Sequence, residues 1–285
     1  MKDNSVSLQE ESIKILKNEL KVDLGKKSFY GDVTTHSLIS EKDEKEFFVI
    51  PRQQIVVCGL DCIPAFISRV TKKIHFNKIA KDGDLIDKNQ IIAKISGNSR
   101  KILSLERTIL NFIQHLSAIS TATHLLVKKL NKSKTKLLDT RKTTTGLRKL
   151  EKYATKKGGA INHRLSLDKK ILIKDNHIQV CGGIDKVLKK LKKKKITDYQ
   201  IECDNFSQVQ KLLNYGCKNF LLDNMSPKDI KKSLKLATGK NANFEISGGI
   251  NINNIDKFAN LGANFISSGA ITQGCKSVDI GLDIF

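Results

Sequence analysis

The sequence predicts an α/β protein: an incomplete, TIM-like (β/α) barrel preceded by an N-terminal α+β sandwich domain. Three observations carry this expectation. From about residue 135, short apolar segments alternate with helical ones, the pattern of a parallel sheet with right-handed crossovers. Nearly every apolar segment ends in a polar residue, namely Asp139, Lys174, Glu202, Asp223, Ser247 and Ser267 or Ser268. In a barrel the strand C-termini converge on one face, and that face carries the active site. Before residue 105 the chain instead reads as a helix followed by short β-rich runs, with no low-complexity linker. An open doubly wound sheet gives the same alternation but does not gather these ends at one centre. With about six strand–helix units rather than eight, the barrel should be short or incomplete.

Taken in order, residues 7–24 place Leu8, Ile13, Ile15, Leu16 and Leu20 at a rough helical period, with Gly25 as the stop. β-rich runs follow at 47–58, 74–79 and 90–95, the last two separated by the turn Lys81-Asp82-Gly83-Asp84. Ser104 is the expected N-cap of a long helix bearing Leu105, Ile109, Leu110, Phe112, Ile113, Leu116 and Ile119. Barrel strands are expected at 136–138, 171–173, 199–201, 219–222, 243–246 and 264–266. Helices are expected at 147–156, 206–215, 227–237 and 252–261. The expected domains are 1–112, joined by the apolar C-terminal segment 276–285, and the barrel at 113–275.

Composition narrows the class. A chain of 285 residues with 39% hydrophobic and 6% aromatic residues and no Trp suits an aliphatic α/β protein. No run approaches the roughly 18 apolar residues that span a bilayer. The start, Met1 to Ser5, lacks the apolar stretch of a secretory signal, so a cytoplasmic setting is expected. Of six cysteines only Cys58 and Cys62 are close, with no matching pair, a poor zinc pattern and more often small buried hydrophobes. The net charge of +22 admits a nucleic-acid-binding reading. However, Lys makes up 44 of the 51 cations, and the run Lys192 to Lys195 ends an expected helix, where cations face solvent. No RNA-reading aromatic pattern or zinc finger accompanies it.

Between residues 139 and 177 lie Asp139, Thr140, Arg141 and Lys142; then Gly158 and Gly159 before His163 and Arg164; then Lys174, Asp175 and His177. Arg forks match carboxylates and phosphates, and Lys acts as a point cation, so this cluster suits small molecules bearing several negative charges. Arg is scarce, and Arg107, Arg141, Arg148 and Arg164 fall in or beside these segments. Glu202 and Asp223 end consecutive strands, where carboxylates can coordinate Mg²⁺ or hold ribose hydroxyls. Ser247-Gly248-Gly249 and Ser268-Gly269-Ala270 close the last strands. Glycine there lets backbone approach a phosphate, and late barrel loops are the usual phosphate site. Neither loop matches a Walker or Rossmann fingerprint, which disfavours ATP and NAD as cofactors.

The stretch from Asp139 to Gly146 resembles the D-T-R-K-T-T-P-G signature of the quinolinate phosphoribosyltransferase family, with Thr145 where the family usually has Pro. The Gly158-Gly159 turn before His163 and Arg164, the Leu172 to His177 stretch, the Leu105 to Asn111 stretch and Gly31 to Thr35 resemble it too. Ala160 replaces the usual third Gly, and Gln200-Ile201-Glu202 stands where the family reads E-V-E. The resemblance implies formation of nicotinate mononucleotide, pyrophosphate and CO₂ from quinolinate and phosphoribosyl pyrophosphate, with Mg²⁺ held by Glu202 and Asp223. It implies catalytic roles for Lys142, Lys174, Glu202 and Asp223. Those four residues, with Arg107, Thr140, Arg141, His163, Arg164, Ser247, Gly248, Gly249, Ser268, Gly269 and Ala270, are the implied substrate-binding set. It also implies a homodimer in which Arg107 enters the partner's site. The alternatives are the related phosphoribosyltransferase of molybdenum-transport operons and, from another class, a basic nucleic-acid-binding protein.

Overall fold

The computed structural model describes residues 3–285, with side chains described for 8–26 and 28–285. Met1 and Lys2, part of the start read above against a secretory signal, lie outside the described residues. The chain forms two compact units. One comprises everything up to His124 together with Lys149–Gly158 and Cys275–Phe285; the other comprises Leu125–Arg148 and Gly159–Gly274.

The first unit opens with α1 (Asp3–Leu24), which buries Leu16, Leu20 and Leu24 along one stripe. A 3-10 turn (Gly25–Gly31) follows, then α2 (Val33–Leu38), capped by the Asp32 side chain accepting from the Thr35 N–H. Next come β1 (Glu44–Pro51), β2 (Ile55–Val56), α3 (Ile63–Val70), β3 (Ile74–Lys78), β4 (Leu85–Ile86), β5 (Ala93–Asn98) and the long α4 (Ser99–Leu130). The expected 47–58 run is therefore two strands, because Arg52 to Gln54 turn the chain. The expected cap of α4 is also corrected. Asn98, not Ser104, accepts the Lys101 N–H, and Ser104 sits inside the helix with its hydroxyl donated to Asp32 at 2.9 Å. The periodic apolar stripe began later than the helix did, which displaced the expected start.

The remaining elements, in chain order, are β6 (Lys136–Leu138), α5 (Arg148–Lys157), β7 (Ile171–Ile173), α6 (Asp175–Cys181), α7 (Ile184–Lys193), β8 (Tyr199–Cys203) and α8 (Phe206–Asn214). They continue with β9 (Asn219–Asp223), α9 (Pro227–Leu236), β10 (Asn243–Ser247), α10 (Asp256–Ala259), β11 (Phe265–Ser267), α11 (Ala270–Gln273) and β12 (Ile280–Asp283). In the first unit β12 pairs antiparallel with β1, giving the sheet order β12-β1-β5-β3. Helices α1 and α3 and part of α4 share the core of that unit with Phe47, Val49, Ile95 and Ile280.

The second unit holds a six-stranded parallel sheet in the order β6-β11-β10-β9-β8-β7. Read as a circle this is sequential order, with β6 closing on the last strand and the ring left open between β6 and β7. An open doubly wound sheet reverses its order at a switch point; this one does not, so it is a barrel lacking two strands of the usual eight. At the opening, only an isolated bridge joins Leu138 to Ile161. The barrel core is aliphatic, with Phe220 and Phe244 stacked at 4.9 Å. No helix among the described residues is long and apolar enough to cross a membrane.

Candidate active site

Parallel strands place every C-terminus at one mouth, and there the second unit holds a cavity of about 660 Å³, within the range of small-molecule sites. Its wall includes Thr140, Arg141, Lys142, His163, Arg164, Lys174, Glu202, Asp223, Ser247, Gly248, Gly249, Gly269 and Ala270. Two of the expected residues lie elsewhere. Ser268 is buried, and its hydroxyl donates to the Ile250 carbonyl at 2.6 Å; its neighbour Ser267 lines the cavity instead. Arg107 belongs to the first unit, where it is exposed on α4 and pairs with Glu106 at 3.3 Å.

The cations are held by their backbone. Lys142 follows β6, its N–H donates to the Thr140 hydroxyl at 3.0 Å, and its carbonyl accepts from the Thr272 hydroxyl at 2.6 Å. Asp139 ends the same strand fully buried, accepting from the Asn162 side chain at 2.6 Å and from the His163 N–H at 2.7 Å. That carboxylate therefore ties the segment ahead of Arg164 to β6 across the open edge of the ring. The buried Nε of Arg141 has no hydrogen-bond partner among the described residues. Burial, followed by the nearby Arg141 charge, pulls Arg164 below its ordinary range. Two forks lining one cavity suit a multiply anionic ligand.

The acids line the same cavity. Register aligns Glu202 of β8 with Leu221 of β9, so Asp223 lies one pleat further out on the same face. Burial pushes the Glu202 carboxyl up, and the Asp223 charge pushes it further, with Lys174 opposing. The N–H of Lys174 donates to Nδ1 of His177, which is how His177 holds this loop. At β10, Gly248 has φ +99°, and a Cβ there would lie 2.3 Å from Asn224 Oδ1, so only glycine fits. Gly249, at φ +60°, faces open space. Lys142 lies over Gly269, where an added Cβ would meet its Cδ at 3.2 Å.

Sequence reasoning missed Glu245, which also lines the cavity and is 3% exposed. The signal was available: in β10 it lies two residues before Ser247, and period-two alternation puts both on one face. The residue sits inside β10 rather than at its polar tip, so the strand-end pattern does not mark it. Gln200, noted only as a departure, donates to Glu245 at 2.8 Å.

An open barrel whose mouth gathers forked cations, paired acids and glycine-opened loops defines an enzyme acting on small, multiply anionic molecules. Family models for quinolinate phosphoribosyl transferase match residues 32–117 with the N-terminal domain and 119–283 with the C-terminal domain. The chain belongs to the quinolinate phosphoribosyltransferase family. It is 37% identical over 291 residues to a probable nicotinate-nucleotide pyrophosphorylase [carboxylating] of Methanocaldococcus jannaschii, covering 97% of this chain and 98% of that one. To the Bacillus subtilis protein of the same description it is 36% identical over 256 residues, covering 89% and 88% of the two chains. The solved nicotinate-nucleotide pyrophosphorylase from Francisella tularensis superposes with a TM-score of 0.89 at 37% identity, covering 97% of both chains. Neither the molybdenum-associated nor the nucleic-acid-binding alternative is favoured.

Proposed function

We propose that the chain joins quinolinate to the anomeric carbon of phosphoribosyl pyrophosphate, releasing pyrophosphate and CO₂ and leaving nicotinate mononucleotide. Family membership supports the reaction, and the observation that carries it to this pocket is the Arg141–Arg164 pair beside Lys142 and Lys174. Arg141, Arg164 and Lys174 receive the two carboxylates, with His163 beside them. Lys142 and the backbone at Ser247, Gly248, Gly249, Gly269 and Ala270 receive phosphate oxygens. Glu202 and Asp223 hold the ribose hydroxyls.

As the bond to pyrophosphate breaks, positive character grows on the ribose and negative charge on the leaving group. Fixed cations facing the leaving group favour that separation more than they favour the ground state. Loss of CO₂ then leaves the electron pair of the broken bond on the ring carbon, stabilised by the adjacent alkylated, cationic nitrogen, and a proton from solvent takes the place of the carboxylate, so no nucleophilic side chain is needed. Closing the forks around the remaining carboxylate keeps it oriented and dry.

The acids fit Mg²⁺. Glu202 and Asp223 are two neighbouring carboxylates whose mutual repulsion a dication relieves. The described residues hold no cluster of three or more His, Cys, Asp or Glu able to cage a metal, and Mg²⁺ commonly takes one or two carboxylates plus phosphate oxygens and water. Bound there, the ion would neutralise developing charge on the pyrophosphate. Arg107, exposed on α4, supports a homodimer in which it completes the partner's site.

The test is an assay for nicotinate mononucleotide with quinolinate and with nicotinate. Quinolinate should turn over. Nicotinate should not, because a missing carboxylate leaves the half-buried Arg141 and Arg164 forks short of a charge-assisted partner, at a cost of about 1.5–3 kcal/mol. Comparable turnover of both acids would refute the assignment.

A further inference from the structure

We infer that Glu245 is a positioning residue for the carboxylate-binding end of this site, acting through His163. Glu245 is almost wholly buried within the barrel. Its carboxylate accepts from Gln200 Nε2 at 2.8 Å and faces His163 Nε2 at 3.4 Å. On the far side of the ring, His163 Nδ1 accepts the backbone N–H of Arg164 at 2.8 Å. An imidazole nitrogen that accepts an N–H carries no proton, so the ring proton sits on Nε2, the atom turned toward Glu245. The result is a continuous chain from the Gln200 amide through Glu245 and His163 to the main chain of Arg164. The Arg164 fork is anchored in turn by its Nη1 donating to the Lys170 carbonyl at 2.7 Å.

The charged groups around this ring come from several elements. Glu245 approaches from β10; Asp139, at the end of β6, takes the His163 N–H; Arg141 and Arg164 line the same cavity. Burial alone would raise the Glu245 carboxyl, but hydrogen bonds from His163, Gln200 and Ser267 hold it below the usual range. Gln200 matters for that balance. Its amide donates without competing for a proton, whereas a Glu at this position would make the two carboxylates share one.

The identity of the acid bound rests on the proposed function, but the tautomer does not. Substrate-free protein labelled with ¹⁵N-histidine reports it directly, the His163 signal being assigned by its loss in His163→Gln. The proton should be on Nε2 with Nδ1 an acceptor; a proton on Nδ1 overturns the inference whatever the substrate. In kinetics, Glu245→Gln should raise the KM for quinolinate roughly tenfold, the size of one charge-assisted bond. The kcat and the KM for phosphoribosyl pyrophosphate should stay within about twofold. The double variant Glu245→Gln/His163→Asn should be no worse than the worse single, because both break one chain of contacts. Additive losses, or an equal rise in both KM values, overturn it. Should Glu245→Gln fail to fold, Gln200→Leu carries the same test by removing the amide that holds Glu245. Its KM for quinolinate should rise while kcat and the KM for phosphoribosyl pyrophosphate stay within about twofold; an equal rise in both KM values overturns the inference.

Discussion

Arg141 and Arg164 stand near each other at the barrel mouth, and the Arg141 charge helps pull Arg164 below its ordinary range. One comes from the loop after β6 and the other from the segment that Asp139 ties to that strand. Their repulsion in the ligand-free chain is the complement of their attraction for a dicarboxylate.

Arg164→Lys should therefore lower kcat/KM by roughly ten- to a hundredfold, since a point charge replaces a fork worth about 1.5–3 kcal/mol. Lys193→Ala, at the exposed end of α7, should leave it within about twofold. Steady-state assays of both variants decide the matter, and equal effects would place the site elsewhere.

Gly248→Ala should cost more than Gly249→Ala. Both require a left-handed backbone, but only at Gly248 does the new Cβ strike Asn224. A strain of about 1–3 kcal/mol should lower Tm by roughly 2–4 °C per kcal/mol. The KM for phosphoribosyl pyrophosphate should rise with it. Calorimetry showing the two alanines equally tolerated would remove the close-approach argument.

Glu202→Gln should abolish activity yet stabilise the ligand-free chain. Folding raises the Glu202 carboxyl through burial and the Asp223 charge. The folded chain thus holds that proton more tightly, so the penalty is present at neutral pH and fades as pH falls through the raised range. The amide removes it, raising Tm by a few degrees near neutrality, at roughly 2–4 °C for each kcal/mol relieved. In acid, the difference from wild type should shrink; a gain that grew on acidification would reverse the sign and defeat the argument.

Mixing inactive Arg107→Ala and Lys142→Ala chains under conditions of subunit exchange should restore activity. If Arg107 acts on the partner, each mixed dimer has one site with both residues intact, and random pairing recovers about a quarter of wild-type sites. No recovery, with exchange verified by a tagged chain, would mean that Arg107 does not complete a partner's site.

The sequence by itself determined the α/β class, the barrel strands and most of the cavity wall. Those features are local: a hydrophobic strand of three to five residues with Lys174, Glu202 or Asp223 at or beside its C-terminal end announces its own direction and its own polar tip. The motif Thr140, Arg141, Lys142 likewise sits in one short loop. Tertiary structure alone decided three other things. It set the ring closure, in which β6 pairs with β11 and leaves the far edge of β7 open, because β6 and β11 lie more than a hundred residues apart. It set Asn98 rather than Ser104 as the cap of α4, since β5 delivers the chain to that cap and Asp32 claims the Ser104 hydroxyl. It also turned Gln200, Glu245 and His163 into one chain of contacts. Their three segments are remote in sequence, and only the barrel's curvature brings a buried carboxylate within reach of an amide and an imidazole.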